Sequence, residues 1–152
     1  MKDRKSAVLA AIDDNWRLFR SSLERLVSDD MSKPGVHKNM SVTDLVGHIT
    51  TQEWKLVTAL DCGHIETMRD DDDFNDAYRK RKNSIEPRQA IAEMEQVHRS
   101  VRDGLAKAPS AYFEPFDPFR ALIDACTVLH YQEHGMAIRI WATKNSMASP
   151  RS

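Results

Sequence analysis

Glycine and proline are scarce, with five and six among 152 residues. A β-sandwich or barrel turns many times and draws those turns from these two residues, so the shortage argues against an all-β fold. Cysteine is scarcer still. Cys62 and Cys126 cannot build a disulfide framework, and reduced thiols are the default expectation. Charge of one sign is also missing: 22 Lys and Arg stand against 23 Asp and Glu, a net charge of −1. No global basic field is present to hold nucleic acid or an anionic membrane surface. Nowhere does an apolar run approach the ~20 residues of a transmembrane helix. The N-terminus, Met1-Lys2-Asp3-Arg4-Lys5, is not followed by a signal-peptide core, because Asp13, Asp14 and Asn15 interrupt it. The expectation is a cytoplasmic protein with no nucleic-acid or membrane partner.

What remains is a chain of 41% hydrophobic and 30% charged residues, suited to one soluble domain over 1–152. Its periodicity is helical. Leu9, Ile12, Trp16, Phe19, Leu23 and Leu26 alternate three and four apart and predict a first helix over about 3–28. Pro34 and Gly35 mark a loop over 29–40. Ser41, with Asp44 three residues on, predicts a cap for a second helix over about 42–60, and Gly63 a stop. Residues 61–86 hold Asp70–Asp73 and Arg79–Lys82 without a sustained period. They read as a solvated crossover with a short helix near 74–82. Pro87 opens a third helix to about 107, and Asp117-Pro118 a fourth to about 144. The fold class expected is all-α, a four-helix bundle. The crossover is long enough to let the third helix run parallel to the second.

The histidines carry the chemistry. His130 and His134 are four apart, so both leave one face of the fourth helix, the face that also carries Phe119, Cys126, Ala137 and Trp141. Two imidazoles within an apolar stripe are costly unless paired or liganded, and this spacing suits two positions on one metal ion. A third candidate is His48 on the second helix. At 1.5 Å per residue it lies ~9 Å from that helix's start, and His134 ~15 Å from the end of its own, so the two meet only if these helices are antiparallel. Glu133 is either a boundary carboxylate paired with an arginine or a group that orients a ligand or acts as a base. His98 reads as a buried, hydrogen-bonded histidine, and His37 and His64 as surface loop residues. The H-x-x-E-H pattern of residues 130–134 is not read as a protease site, since only 18 residues follow it.

Met40-Ser41-Val42-Thr43-Asp44-Leu45-Val46-Gly47-His48-Ile49 resembles the second-helix signature of the DinB/YfiT-like superfamily, and His130-x-x-x-His134 running into Ile138-Arg139-Ile140-Trp141 resembles its fourth-helix signature. The resemblance implies an up-down-down-up bundle, often a homodimer, with a divalent metal such as zinc or nickel on His48, His130 and His134. It also implies a metal-dependent enzyme that activates water or a low-molecular-weight thiol cosubstrate, as a thiol transferase or hydrolase on a small-molecule substrate. Related mycothiol-dependent maleylpyruvate isomerases place a glutamate where His130 stands, so that reaction is not expected here. Trp16 and Gln52 are expected to line the substrate pocket, with Glu133 as the catalytic carboxylate. The alternative is a non-enzymatic metal-binding or stress-response bundle acting through a partner.

Overall fold

The computed structural model describes residues 3–65 and 85–145. The chain is all-α. Its elements are α1 (Arg4–Ser21), a single turn α2 (Ser28–Met31), α3 (Val42–Cys62), α4 (Pro87–Lys107), a 3-10 turn (Ser110–Phe113), α5 (Pro118–Cys126) and α6 (Val128–Lys144). Among the described residues there is no strand, only one isolated bridge between His37 and Met40. The acidic run, the basic run and the short helix expected near 74–82 lie outside the described residues.

The helix ends follow from local chemistry. Asp3 caps α1 by accepting from Ser6 N–H. Ser41 and Asp44 form a reciprocal capping box at the start of α3: Asp44 N–H donates to Ser41 Oγ at 3.1 Å, and Ser41 N–H to Asp44 Oδ2 at 2.9 Å. Gly63 ends α3 in the left-handed region, φ 74°, where a residue without Cβ is at no disadvantage. Asp117 caps α5 with Pro118 at the first helical position.

Two expected boundaries are corrected. The first helix stops at Ser21, not near 28; residues 22–26 continue in i→i−3 bonds such as Leu23 N–H to Arg20 C=O. The 3-4 spacing of Leu23 and Leu26 persists because both still pack toward the core, not because the helix does. The fourth expected helix is two helices, broken at Thr127 (φ −123°, ψ −95°). Thr127 is fully buried, and its hydroxyl donates to the Ile123 carbonyl at 2.6 Å, where it competes with the helical ladder.

Side-chain contacts give the relative directions of α1, α3, α4 and α6. Asp13 meets Arg102, Trp16 meets His98 and Arg20 meets Glu95, so α1 and α4 are antiparallel. Asn15 meets Gln132 and Ser22 meets Arg139, so α1 and α6 are parallel. His48 meets His134 and Glu53 meets Tyr131, so α3 and α6 are antiparallel. Glu53 meets His98, and a Cβ on Gly104 would stand 3.2 Å from Leu60, so α3 and α4 are parallel. The core between them holds Ile12, Phe19, Leu45, Ile49, Leu56, Met94, Leu105, Ile123 and Ile138, all fully buried. Each such side chain contributes ~1.5–3 kcal/mol by leaving water, which makes this core, rather than any single polar contact, the main source of stability.

Candidate metal centre

Antiparallel packing of α3 and α6 brings three histidines to one point. Ligand atoms of His48, His130 and His134 all lie within 4.8 Å of one another. The ring centroids form a nearly equilateral triangle: 5.0 Å for His48–His130, 5.2 Å for His48–His134 and 5.2 Å for His130–His134. Three imidazoles on one tetrahedral ion at 2.0–2.1 Å would have centroids ~5.2 Å apart, whereas right-angled octahedral neighbours would stand ~4.5 Å apart. The three residues are close enough to share one ion, and three protein ligands leave at least one position open.

The proton assignments agree. His130 Nδ1 donates to the Ala125 carbonyl, which an unbroken helix would commit to the amide of Leu129. The break at Thr127 thus has a use: it supplies the acceptor that fixes the His130 tautomer. With its proton on Nδ1, neutral His130 presents a lone pair on Nε2, and that atom faces His48 Nε2 at 3.1 Å. The third ring is more telling. His134 is 4% exposed, and neither of its ring nitrogens has a hydrogen-bond partner among the described residues. A buried unsatisfied ring nitrogen costs ~1–3 kcal/mol, a cost that an ion removes.

Burial holds two of the rings, His48 and His134, neutral. Burial, followed by repulsion from His130, pushes the His48 pKa down to about 4. Burial and the charges of the neighbouring histidines push that of His134 down to about 3. Neutral imidazole is the form that coordinates, so the site is ready for a cation at neutral pH.

The other expected site residues are placed differently from one another. Gln52 is buried, one turn beyond His48, and lines a cavity of about 300 Å³ with Lys55, Leu122, Ala125 and Cys126. None of the three histidines lines this cavity, but two of its lining residues neighbour them: Gln52 one turn from His48, and Ala125, whose carbonyl accepts from His130. Its buried thiol, Cys126, has its pKa pushed up to about 12 by burial, which makes it a poor nucleophile. Trp16 is not among that lining; it stacks on His98 with centroids 3.7 Å apart and planes 6° apart. Glu133 is exposed and makes no hydrogen bond within the described residues, although its charge favours the protonated form of His48.

Two residues with buried polar groups went unnoticed in the sequence. Glu53 is fully buried; its Oε1 accepts from the Tyr131 hydroxyl and lies 3.3 Å from His98 Nδ1, while Oε2 has no partner among the described residues. Tyr131 in turn lies 3.0 Å from His98, and burial with the adjacent Glu53 charge raises its pKa. This network ties α3, α4 and α6 together immediately beside His130. The signal for Glu53 was its place in the apolar sequence Ile49, Glu53, Leu56, Leu60, where a carboxylate is out of keeping.

No protein-family model matches the chain, and no curated protein matches it. A crystal structure of an uncharacterised protein from Escherichia coli UTI89 is similar, with a TM-score of 0.77 and 19% identity over 95% of this chain and 96% of that one. That likeness establishes the fold. Fold and site together define an all-α protein with three histidines close enough to hold a metal ion. No helix among the described residues is long and apolar enough to cross a membrane.

Proposed function

We propose that this protein is a small metal-dependent enzyme of the DinB/YfiT-like class, with one divalent ion on His48, His130 and His134. The helix directions support the bundle named by that class, α1 up, α3 and α4 down, α6 up. The observation that carries the reading is the histidine triangle, with sides of 5.0–5.2 Å and ligand atoms within 4.8 Å of one another. A bound ion would supply Lewis acidity, lowering the pKa of a coordinated water or thiol toward neutrality. The chain's own residues do the rest. Ala125 orients His130, burial holds His134 neutral, and Gln52 with Lys55 gives the neighbouring apolar cavity a polar side for a small substrate. Either a thiol transferase or a hydrolase uses these parts.

The same class implies a homodimer. Leu129, Met136 and Ile140 on α6 are all more than half exposed, and seven- and four-residue spacings place them along one side of that helix. Leu18 is similarly exposed on the neighbouring α1. Such a stripe is a natural isologous contact. The deciding experiment for the function is metal loading followed by assay. Protein freed of metal and reloaded with one equivalent of zinc should catalyse thiol addition to, or hydrolysis of, small electrophiles, and His130→Ala should not. Equal turnover by the variant would refute the reading.

A further inference from the structure

A fourth histidine stands at the centre without belonging to it. The His37 ring lies 5.9 Å from that of His134, edge-on at 78°. This exceeds the 5.0–5.2 Å sides of the triangle, and His37 is not one of the three residues whose ligand atoms cluster. It is also not a loose surface residue. The chain turns back on itself around it: Val36 N–H donates to Met40 C=O and Met40 N–H to His37 C=O, each at 3.0 Å. The turn puts Lys38 in the left-handed region, φ 55°, a conformation uncommon for a side-chain-bearing residue, and follows Gly35 at φ 98°. Non-glycine residues held in that region are uncommon and are enriched at ligand clamps and active sites. The turn runs straight into the Ser41 capping box, so His37 is fixed relative to α3 and thus to His48. It is only half-buried, and its ring makes no hydrogen bond to another described residue. A ring nitrogen there is therefore not committed to another described side chain and can donate to a ligand.

We propose that His37 is a positioning residue of the metal centre, a fourth imidazole outside the ligand set whose N–H donates to the small anion or thiolate occupying the position that the three histidines leave over. This deepens the proposed function and rests on the three-histidine ion. It assigns that position an anionic occupant, held by the ion on one side and by a ring N–H on the other. The loop before α3 then contributes to selectivity, not only to the connection of α2 with α3.

The test uses the full chain loaded with cobalt(II), whose visible spectrum reports both ion uptake and the binding of azide as a probe anion. His37→Ala is expected to weaken azide binding about 5- to 10-fold, the loss of one hydrogen bond, with cobalt affinity within about 2-fold of the unaltered protein. His37→Phe keeps the ring's volume and lacks the N–H, so it should match alanine even if alanine loosens the turn; His37→Gln, which retains a donor, should recover part of the affinity. Azide affinity unchanged in both the alanine and phenylalanine variants overturns the proposal and leaves the three-histidine ion standing. Cobalt affinity falling in His37→Ala as far as in His130→Ala also overturns it, because His37 is then a ligand. Failure of the unaltered protein to take up cobalt overturns this proposal and the metal-centre reading together.

Discussion

Lowering the pH from 7 to 5 should destabilise the metal-free protein by about 3 kcal/mol, through His48 and His134. Their folded pKa values are depressed to about 4 and about 3, chiefly by burial. An unfolded histidine titrates near 6.5. The unfolded chain therefore takes up protons across this window that the folded chain refuses. Stability is full above the unfolded pKa and is lost as pH falls toward the folded values. Linkage over the two pH units gives roughly 2 kcal/mol for a histidine that stays neutral when folded. His134 should contribute nearly all of that, and the half-buried His48 less, since solvent screens it. The assay is urea unfolding followed by far-ultraviolet circular dichroism at pH 7, 6 and 5 with a chelator present. In the double variant His48→Gln/His134→Gln the pH dependence over this range should be largely removed. A loss below about 0.5 kcal/mol in the unaltered protein, or the same slope in the double variant, would refute the claim that these rings are held neutral by their surroundings.

Other outcomes follow from the same geometry. His130→Ala should abolish tight metal binding, because two ligands remain, while helical content by circular dichroism stays within error. Tyr131→Phe removes the hydroxyl that donates to buried Glu53 and should cost about 2–3 kcal/mol in urea unfolding; a cost under about 0.5 kcal/mol would mean that Glu53 is satisfied otherwise. Asp13→Asn removes the charge and one of the two acceptors that Arg102 reaches at 2.7 and 3.0 Å, but that pair is a third exposed, so the loss should be only about 1 kcal/mol. In native protein at pH 7.5 a thiol reagent should label the exposed Cys62 quickly and the buried Cys126 only after unfolding; two fast thiols would contradict the burial of Cys126. Light scattering at ~100 μM, far above a micromolar dissociation constant, should find a dimer that Met136→Glu disrupts.

The histidine cluster was the most legible part of the sequence because its signal is geometric. An i,i+4 pair of histidines on one helix and a third at a matching depth on an antiparallel helix leave few other arrangements, and the structure places all three together. The caps at Ser41, Gly63 and Asp117 were legible for the same reason: each is a local backbone requirement met by one residue type. The break at Thr127 was not. The stripe Phe119, Ile123, Cys126 continues into Tyr131, His134 and Ile138 as though nothing intervened, and a threonine bonding back to the carbonyl four residues earlier leaves no periodic trace. The early end of α1 was hidden similarly, since Leu23 remains in the core after the chain has left the helix. Glu53 was lost among the charged residues, and its partners His98 and Tyr131 are 45 and 78 positions away, a distance over which no spacing rule operates. His37 was read as a surface residue because its loop carries no periodicity; only the turn at Lys38 brings it against His134.

The central claim is that His48, His130 and His134 hold one ion, and X-ray absorption at the metal edge of protein prepared without a histidine tag tests it most directly. One ion per chain with three imidazole nitrogens at about 2.0–2.1 Å and one further light ligand is the result predicted. Less than a tenth of an ion per chain after incubation with excess zinc, or an unchanged spectrum in the His130→Ala protein, would contradict it.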